Sequence, residues 1–152
     1  MDIRNPTTFV LSIMFGVVSL CCADVVYGET AVCALLTQNQ VSTIVGASVG
    51  APSPIANTGC SWTAAGPPRI VVSVSMQSEK MFAVAKSSVP PETTKTSIAG
   101  LGDEAIFTGV QNFSSLWVRK GTKFPLIRIY GLSVSDAQTK LKALATNALS
   151  KL

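Results

Sequence analysis

The chain has 152 residues, with 12 Lys and Arg against 8 Asp and Glu, and it contains no histidine. That length holds one core of ordinary size. The absence of histidine removes the commonest general base and metal ligand, so Ser-His-Asp, Cys-His and histidine-metal chemistries are excluded.

Mean hydropathy is +0.42, but much of that apolarity sits in one block near the start. Phe9 to Cys22 carries no charge and Arg4 stands in front of it, the profile of a secretion signal. Val26 and Gly28 supply the small residues a signal peptidase needs, so cleavage is expected after Gly28, with the bond after Ala23 as a second site. The expected organisation is a signal peptide over 1–28 and a single domain over 29–152. An uncleaved anchor is the alternative, since Phe9 to Tyr27 approaches a bilayer span of roughly 20 residues. Lipidation has little support, because Leu20 and not a small residue precedes Cys21.

Without the leader, eleven Lys and Arg face six Asp and Glu, a net charge of +5. Such a charge favours anionic surfaces in general and specifies none. No nucleic-acid motif is present, and the membrane enters only through an uncleaved leader.

Removal of the leader takes Cys21 and Cys22 and leaves Cys33 and Cys60, which export would place where disulfides form and persist. They are expected to pair as a structural staple. A redox pair would show C-x-x-C spacing, whereas 26 residues separate these two. Two thiolates without histidine do not complete a zinc site, and no metal or cofactor is expected.

In chain order, Ala31 to Val45 reads as helix, with Thr37 and Gln40 placed as a capping box that could restart it after Leu36 and Gly46 ending it. Residues 47–59 are rich in Gly and Pro and read as a loop or short edge strand. Cys60 to Ala64 and Arg69 to Gln77 read as strands; in the second, Ile70, Val72, Val74 and Met76 share one face. Ser78 to Val89 reads as a helix capped by Ser78, with Met81, Phe82 and Ala85 on its apolar side. Pro90 and Pro91 end it. A polar, threonine-rich stretch leads to Ile98–Gly109, a glycine turn running into a short strand. Ser115 to Arg119 and Phe124 to Tyr130 form a hairpin around Gly121. Ser135 to Leu152 reads as a helix capped by Ser135, its stripe formed by Ala137, Leu141, Leu144, Ala145, Ala148 and Leu152. The predicted class is α+β, an antiparallel sheet with helices packed on it in the order αββαβββα.

Three groups of residues together carry a family likeness: Cys33-Ala34-Leu35-Leu36-Thr37 with Gly46; Cys60-Ser61-Trp62; and Gly100-Leu101-Gly102-Asp103-Glu104-Ala105 followed by Leu116-Trp117-Val118-Arg119-Lys120-Gly121. The combination resembles a group of bacterial exported proteins and lipoproteins, best known in actinobacteria, described only as domains of unknown function. The likeness spans Cys33 to Leu152. It implies a PsbP-like α/β sandwich and brings no catalytic residues. Many members carry a lipidated cysteine after the signal, and this sequence departs from them there.

Other constellations have simple structural readings. Asp103 and Glu104 would point to opposite faces of a strand, Gly100 and Gly102 fit a tight turn and not a phosphate loop, and Ser87 and Ser88 beside Lys86 form a common juxtaposition. Asn112-Phe113-Ser114 fits a glycosylation acceptor, expected to be unmodified. One surface is more informative. If Leu116, Val118, Ile127 and Ile129 face the core, then Trp117, Arg119, Leu126, Arg128 and Tyr130 share the opposite face. Trp117, Arg119, Arg128 and Tyr130 are the candidate contact residues, suited to an envelope protein or an anionic polymer. A helix layer covering that face would make Trp117 and Leu126 core residues instead. The expected function is a secreted or periplasmic, non-catalytic binding or accessory domain of a bacterial envelope; the alternative is a histidine-free hydrolase using Asp and Glu or Ser and Lys.

Overall fold

A computed structural model describes residues 31–152; the leader expected over 1–28, with its cleavage site, lies outside the described residues. The described residues form a 3-10 turn, Cys33–Leu35, three α-helices and seven strands. α1 covers Gln38–Val45, α2 Glu79–Ser87 and α3 Val134–Leu149. The strands are β1 Ser53–Ile55, β2 Gly59–Ala64, β3 Ile70–Gln77, β4 Thr94–Ser97, β5 Glu104–Val110, β6 Phe113–Arg119 and β7 Phe124–Tyr130.

All seven strands join one antiparallel sheet in the order β1-β2-β3-β7-β6-β5-β4. Two meanders, β1 to β3 and β4 to β7, are zipped together by the β3–β7 pair. The connection between them runs through α2, which leaves the middle of the sheet at β3, crosses one face and delivers the chain to the far edge at β4. The fold is α+β with helices packed on the sheet, as the periodicities implied, but the expected order αββαβββα is two strands short, because the short exposed edge strands β1 and β4 carry no apolar alternation.

The faces differ in how they are closed. On the first, Trp62, Val72, Val74, Phe107, Leu116, Val118, Ile127 and Ile129 are sealed beneath α1, α3 and the 3-10 turn, with Leu141 and Leu144 of α3 fully buried against them. Side chains alternate along a strand, so the same strands send Ile106, Trp117 and Phe124 to the second face, where they meet Phe82 of α2 in a smaller cluster. The Phe82 and Phe124 rings lie 5.7 Å apart, centroid to centroid.

Local chemistry sets the element ends, and several depart from expectation. The first helix is not continuous. The 3-10 turn ends at Leu36, which is extended at φ −133°, and α1 restarts on the capping box of Thr37 and Gln40, with Gly46 closing it in the left-handed region at φ 78°. α3 begins two residues earlier than the Ser135 cap implied: Ser133 is the cap and accepts from the Asp136 N–H, so Asp136 and not Gln138 stands at the third helical position. The helix also ends at Leu149, which leaves Leu152 beyond its stripe. On α2, Phe82 and Ala85 are buried but Met81 is 45% exposed, because α2 tips its Met81 edge toward the open part of the face. β4 was hidden in the polar stretch 92–97: all four of its residues are exposed, so no apolar alternation marks it.

Candidate functional site

The second face is organised in lateral rows fixed by strand register. Arg128 of β7 stands directly between Ser73 of β3 and Ser115 of β6, and Ser115 in turn faces Thr108 of β5. The neighbouring rows are apolar across β5, β6 and β7: Leu126, Trp117 and Ile106 on one side, with Ser75 of β3 beyond Leu126, and Tyr130, Phe113 and Val110 on the other. Arg128 is thus the cation that lines the cavity, flanked by hydroxyls; Lys95, paired with Thr108 at the β4 edge of the same row, and the Glu104–Arg119 pair lie elsewhere on this face.

α2 covers only part of this surface. Phe82 and Ala85 reach down to the sheet, while Met81 and Val84 overhang the region next to Trp117. The gap between α2, its exit at Val89 and Pro90, and the β5–β6 hairpin is an open cavity of about 310 Å³ with Arg128, Ser115 and Thr108 among its lining groups. This is at the lower end of the range for small-molecule sites.

The exposure pattern marks the same place. The large apolar side chains left exposed among the described residues are Ile55, Met81, Val84, Phe113 and Tyr130. Met81, Val84 and Phe113 line the cavity, and Tyr130 is paired with Phe113 at its margin. Clustered exposed apolar groups mark contact sites, where scattered ones do not.

Arg128 is the unusual group. Its guanidinium makes no hydrogen bond or ion pair to a described residue, and its Nε is buried without a partner. Desolvation by burial pushes its pKa down from the ordinary arginine value, yet arginine stays charged at neutral pH. Buried polar groups are nearly always partnered, so this one stands as an unsatisfied donor facing a cavity.

The four candidate contact residues do share this face, as their register requires, but they divide. Arg128 and Trp117 line the cavity, with Trp117 half-buried beside α2, while Tyr130 is exposed at its margin. Arg119 lies away from it, 3.8 Å from Glu104, which also takes Lys86 at 2.6 Å. The anticipated covering layer is therefore present over Leu126, which is fully buried, and incomplete over Arg128. Met81, Val84, Phe113, Ser115 and Thr108 were missed as site residues. Their signal was available: Met81 and Val84 are three apart on a helix, and Thr108 and Val110 alternate with the buried Phe107.

Of the groups with catalytic potential named from the sequence, Ser88 lines the cavity and several others are engaged elsewhere. Lys86 pairs with Glu104, and the Ser87 hydroxyl donates to the Ala83 carbonyl at 3.0 Å. Asp103 accepts from the Gly121 N–H at 2.7 Å and ties the β5 entry to the β6–β7 hairpin. Glu104 points to the second face. Ser114 of the Asn112-Phe113-Ser114 triplet is fully buried on the first. Among the described residues no group of three or more Asp, Glu or Cys is placed to hold a metal ion, and no helix is long and apolar enough to cross a membrane.

Much of the positive charge serves the fold. Lys120 and Lys123 donate to the Leu149 and Leu152 carbonyls at 2.6 and 3.0 Å, Lys140 to Ile44, and Lys151 to Ala34. Cations at a helix C-terminus oppose its dipole, so the hairpin lysines act as caps for the end of α3. The staple is formed: Cys33 and Cys60 are joined by a disulfide with Cα atoms 5.0 Å apart, linking the 3-10 turn to β2. Compared with protein families, curated proteins and solved structures, the chain matches none.

Proposed function

We propose that this protein is an exported, non-catalytic binding domain of a bacterial envelope, and that it takes its ligand in the groove between α2 and the second face of the sheet. The observation that carries the reading is the gathering of exposed Met81, Val84 and Phe113 around one cavity, with Tyr130 at its margin. Leaving such side chains in water is unfavourable by about 25 cal/mol for each Å² of apolar surface, and a ligand lying in the groove recovers part of that. The apolar leader and the disulfide support the address, since a disulfide persists in oxidising compartments. The likeness to exported bacterial lipoproteins points the same way.

An uncharged solvatochromic dye, Nile red, tests the groove without reference to charge. The folded protein is expected to bind it at one site with a blue-shifted emission, and Val84→Trp, which fills the groove from a 48% exposed position, is expected to abolish that signal while the far-ultraviolet circular dichroism and thermal midpoint stay as in the parent. Equal dye binding by the parent and by Val84→Trp would place the apolar site elsewhere and overturn the reading.

A further inference from the structure

We infer that the ligand of this groove is an amphipathic organic anion, an apolar body ending in a carboxylate or phosphate head that Arg128 receives. The inference rests on the groove being the binding site and adds the chemical class of what enters it.

Three observations on the floor and walls converge. The first is the unpartnered guanidinium. Arginine presents its donors in a planar fork that matches two oxygens of a carboxylate or phosphate, and no described acceptor takes any of them. Neither ion pair among the described residues includes Arg128: the carboxylate of Glu104 lies with Lys86 and Arg119. A charged donor half-withdrawn from water without an acceptor is costly to the protein alone, and an incoming oxyanion removes that cost.

The second is what flanks the cation. Ser115 and Thr108 line the cavity in the same lateral row, and Ser73 faces Arg128 from the other side. Ser115 is only 4% exposed. Hydroxyls can donate to an oxyanion, and none of the three offers a competing negative charge.

The third is the surround. Beyond this row the cavity walls are mostly apolar, formed by Met81, Val84 and Val89 on the helix side and by Phe113 and Trp117 on the sheet, with Ser88 and Thr93 the polar residues among them. A bare inorganic anion would leave these walls wet; a neutral apolar molecule would leave the guanidinium unpaired. Only a ligand with both parts satisfies the whole lining. The low polarity of the walls also strengthens the charge-assisted contact relative to the same contact in water.

The experiment is a titration read by tryptophan emission. Trp117 lines the cavity, whereas Trp62 is sealed in the opposite core at 0% exposure and contributes a constant background. The probes are decanoate, decyl phosphate, decanol and decyltrimethylammonium, each below its aggregation concentration, with acetate and inorganic phosphate as head groups alone. Decanoate and decyl phosphate are expected to bind roughly ten- to a hundredfold more tightly than decanol, the range of a charge-assisted hydrogen bond. The ammonium amphiphile and the bare head groups should leave the emission unchanged. Arg128→Gln is expected to reduce the anions to the level of decanol, and Arg119→Gln, outside the cavity, to leave them unaltered.

Decanol binding as tightly as decanoate in the parent protein would overturn the inference without any variant and would leave the groove reading standing. So would retention of decanoate affinity by a folded Arg128→Gln. A saturating response to acetate or inorganic phosphate would remove the apolar half of the ligand. If no amphiphile binds while Nile red still does, the ligand class falls alone; if Nile red fails as well, both fall.

Discussion

Residues with unusual demands were the easiest to recognise in the sequence and the hardest to interpret there. Arg128 could be placed on the second face as the residue between Ile127 and Ile129, but nothing in the sequence says that its row neighbours carry hydroxyls or that it lacks an acceptor; the first follows from the β3–β7 and β6–β7 registers and the second from the side-chain packing. Glycines show the same limit. Gly46 and Gly131 both lie in the left-handed region, at φ 78° and 96°, yet their surroundings differ. A Cβ at Gly46 meets open space, whereas one at Gly131 would overlap the carbonyl of Arg69, where the chain leaving β7 passes the start of β3. Gly131 also donates its N–H to the Asn112 carbonyl at 2.8 Å, so it cannot retreat freely. Gly46→Ala is therefore expected to lower stability by about 1 kcal/mol, the left-handed backbone penalty alone. Gly131→Ala should lose roughly 2 to 4 kcal/mol, as overpacking adds to that penalty. Urea unfolding of the two variants measures the contrast, and equal losses would show that the strand start gives way.

Elements were legible where one face is dry and the other wet. β3 alternates buried and half-exposed residues as its sequence does, and β7, although buried on both faces from Phe124 to Ile127, has the bounds its sequence gave. Where no residue is buried, the reading failed: β4 is exposed throughout and exists because its backbone pairs with β5 from Thr94↔Gly109 to Ser97↔Ile106. Helix caps failed for a different reason. Ser133 and Ser135 are both competent cap residues two positions apart, and the turn after Gly131 decides between them by leaving Ser133 extended at ψ 154°. The Ser133 hydroxyl then accepts from the Asp136 N–H at 3.2 Å, while Ser135 already lies inside the helix. Ser133→Ala is accordingly expected to cost about 1 kcal/mol, and Ser135→Ala to change stability by less than about 0.5 kcal/mol. Thermal melts of the two variants would reverse this assignment if the larger loss followed Ser135.

At the scale of the molecule, the division of labour between the two faces explains why the site was only half visible. One face carries the stability: its helices are tied down by apolar stripes that the sequence displays openly, and the Cys33–Cys60 disulfide fastens the beginning of the described chain to β2. The other face carries a short helix on a small cluster of Phe82, Ile106 and Phe124, and so leaves a gap. Whether a helix fully covers a sheet depends on where the crossover from β3 to β4 lands, a property of topology that no local pattern records. The staple closes a loop with a sequence separation of 27 residues, and in the loop-entropy account that is worth roughly 3 to 4 kcal/mol. This is a large share of the ~5 to 15 kcal/mol that holds a small domain together. A domain so dependent on one oxidised pair is suited to export, which gives a linked prediction. Protein recovered from its own cells under thiol-blocking conditions should begin at Glu29, with Cys33 and Cys60 unmodified by the blocking reagent. Treatment with a reductant should then lower its unfolding midpoint, by roughly 10 °C or more if the whole contribution is lost. An intact Met1 together with two blocked thiols at Cys33 and Cys60 would place the protein in a reducing compartment, and the disulfide could not then serve as its staple there.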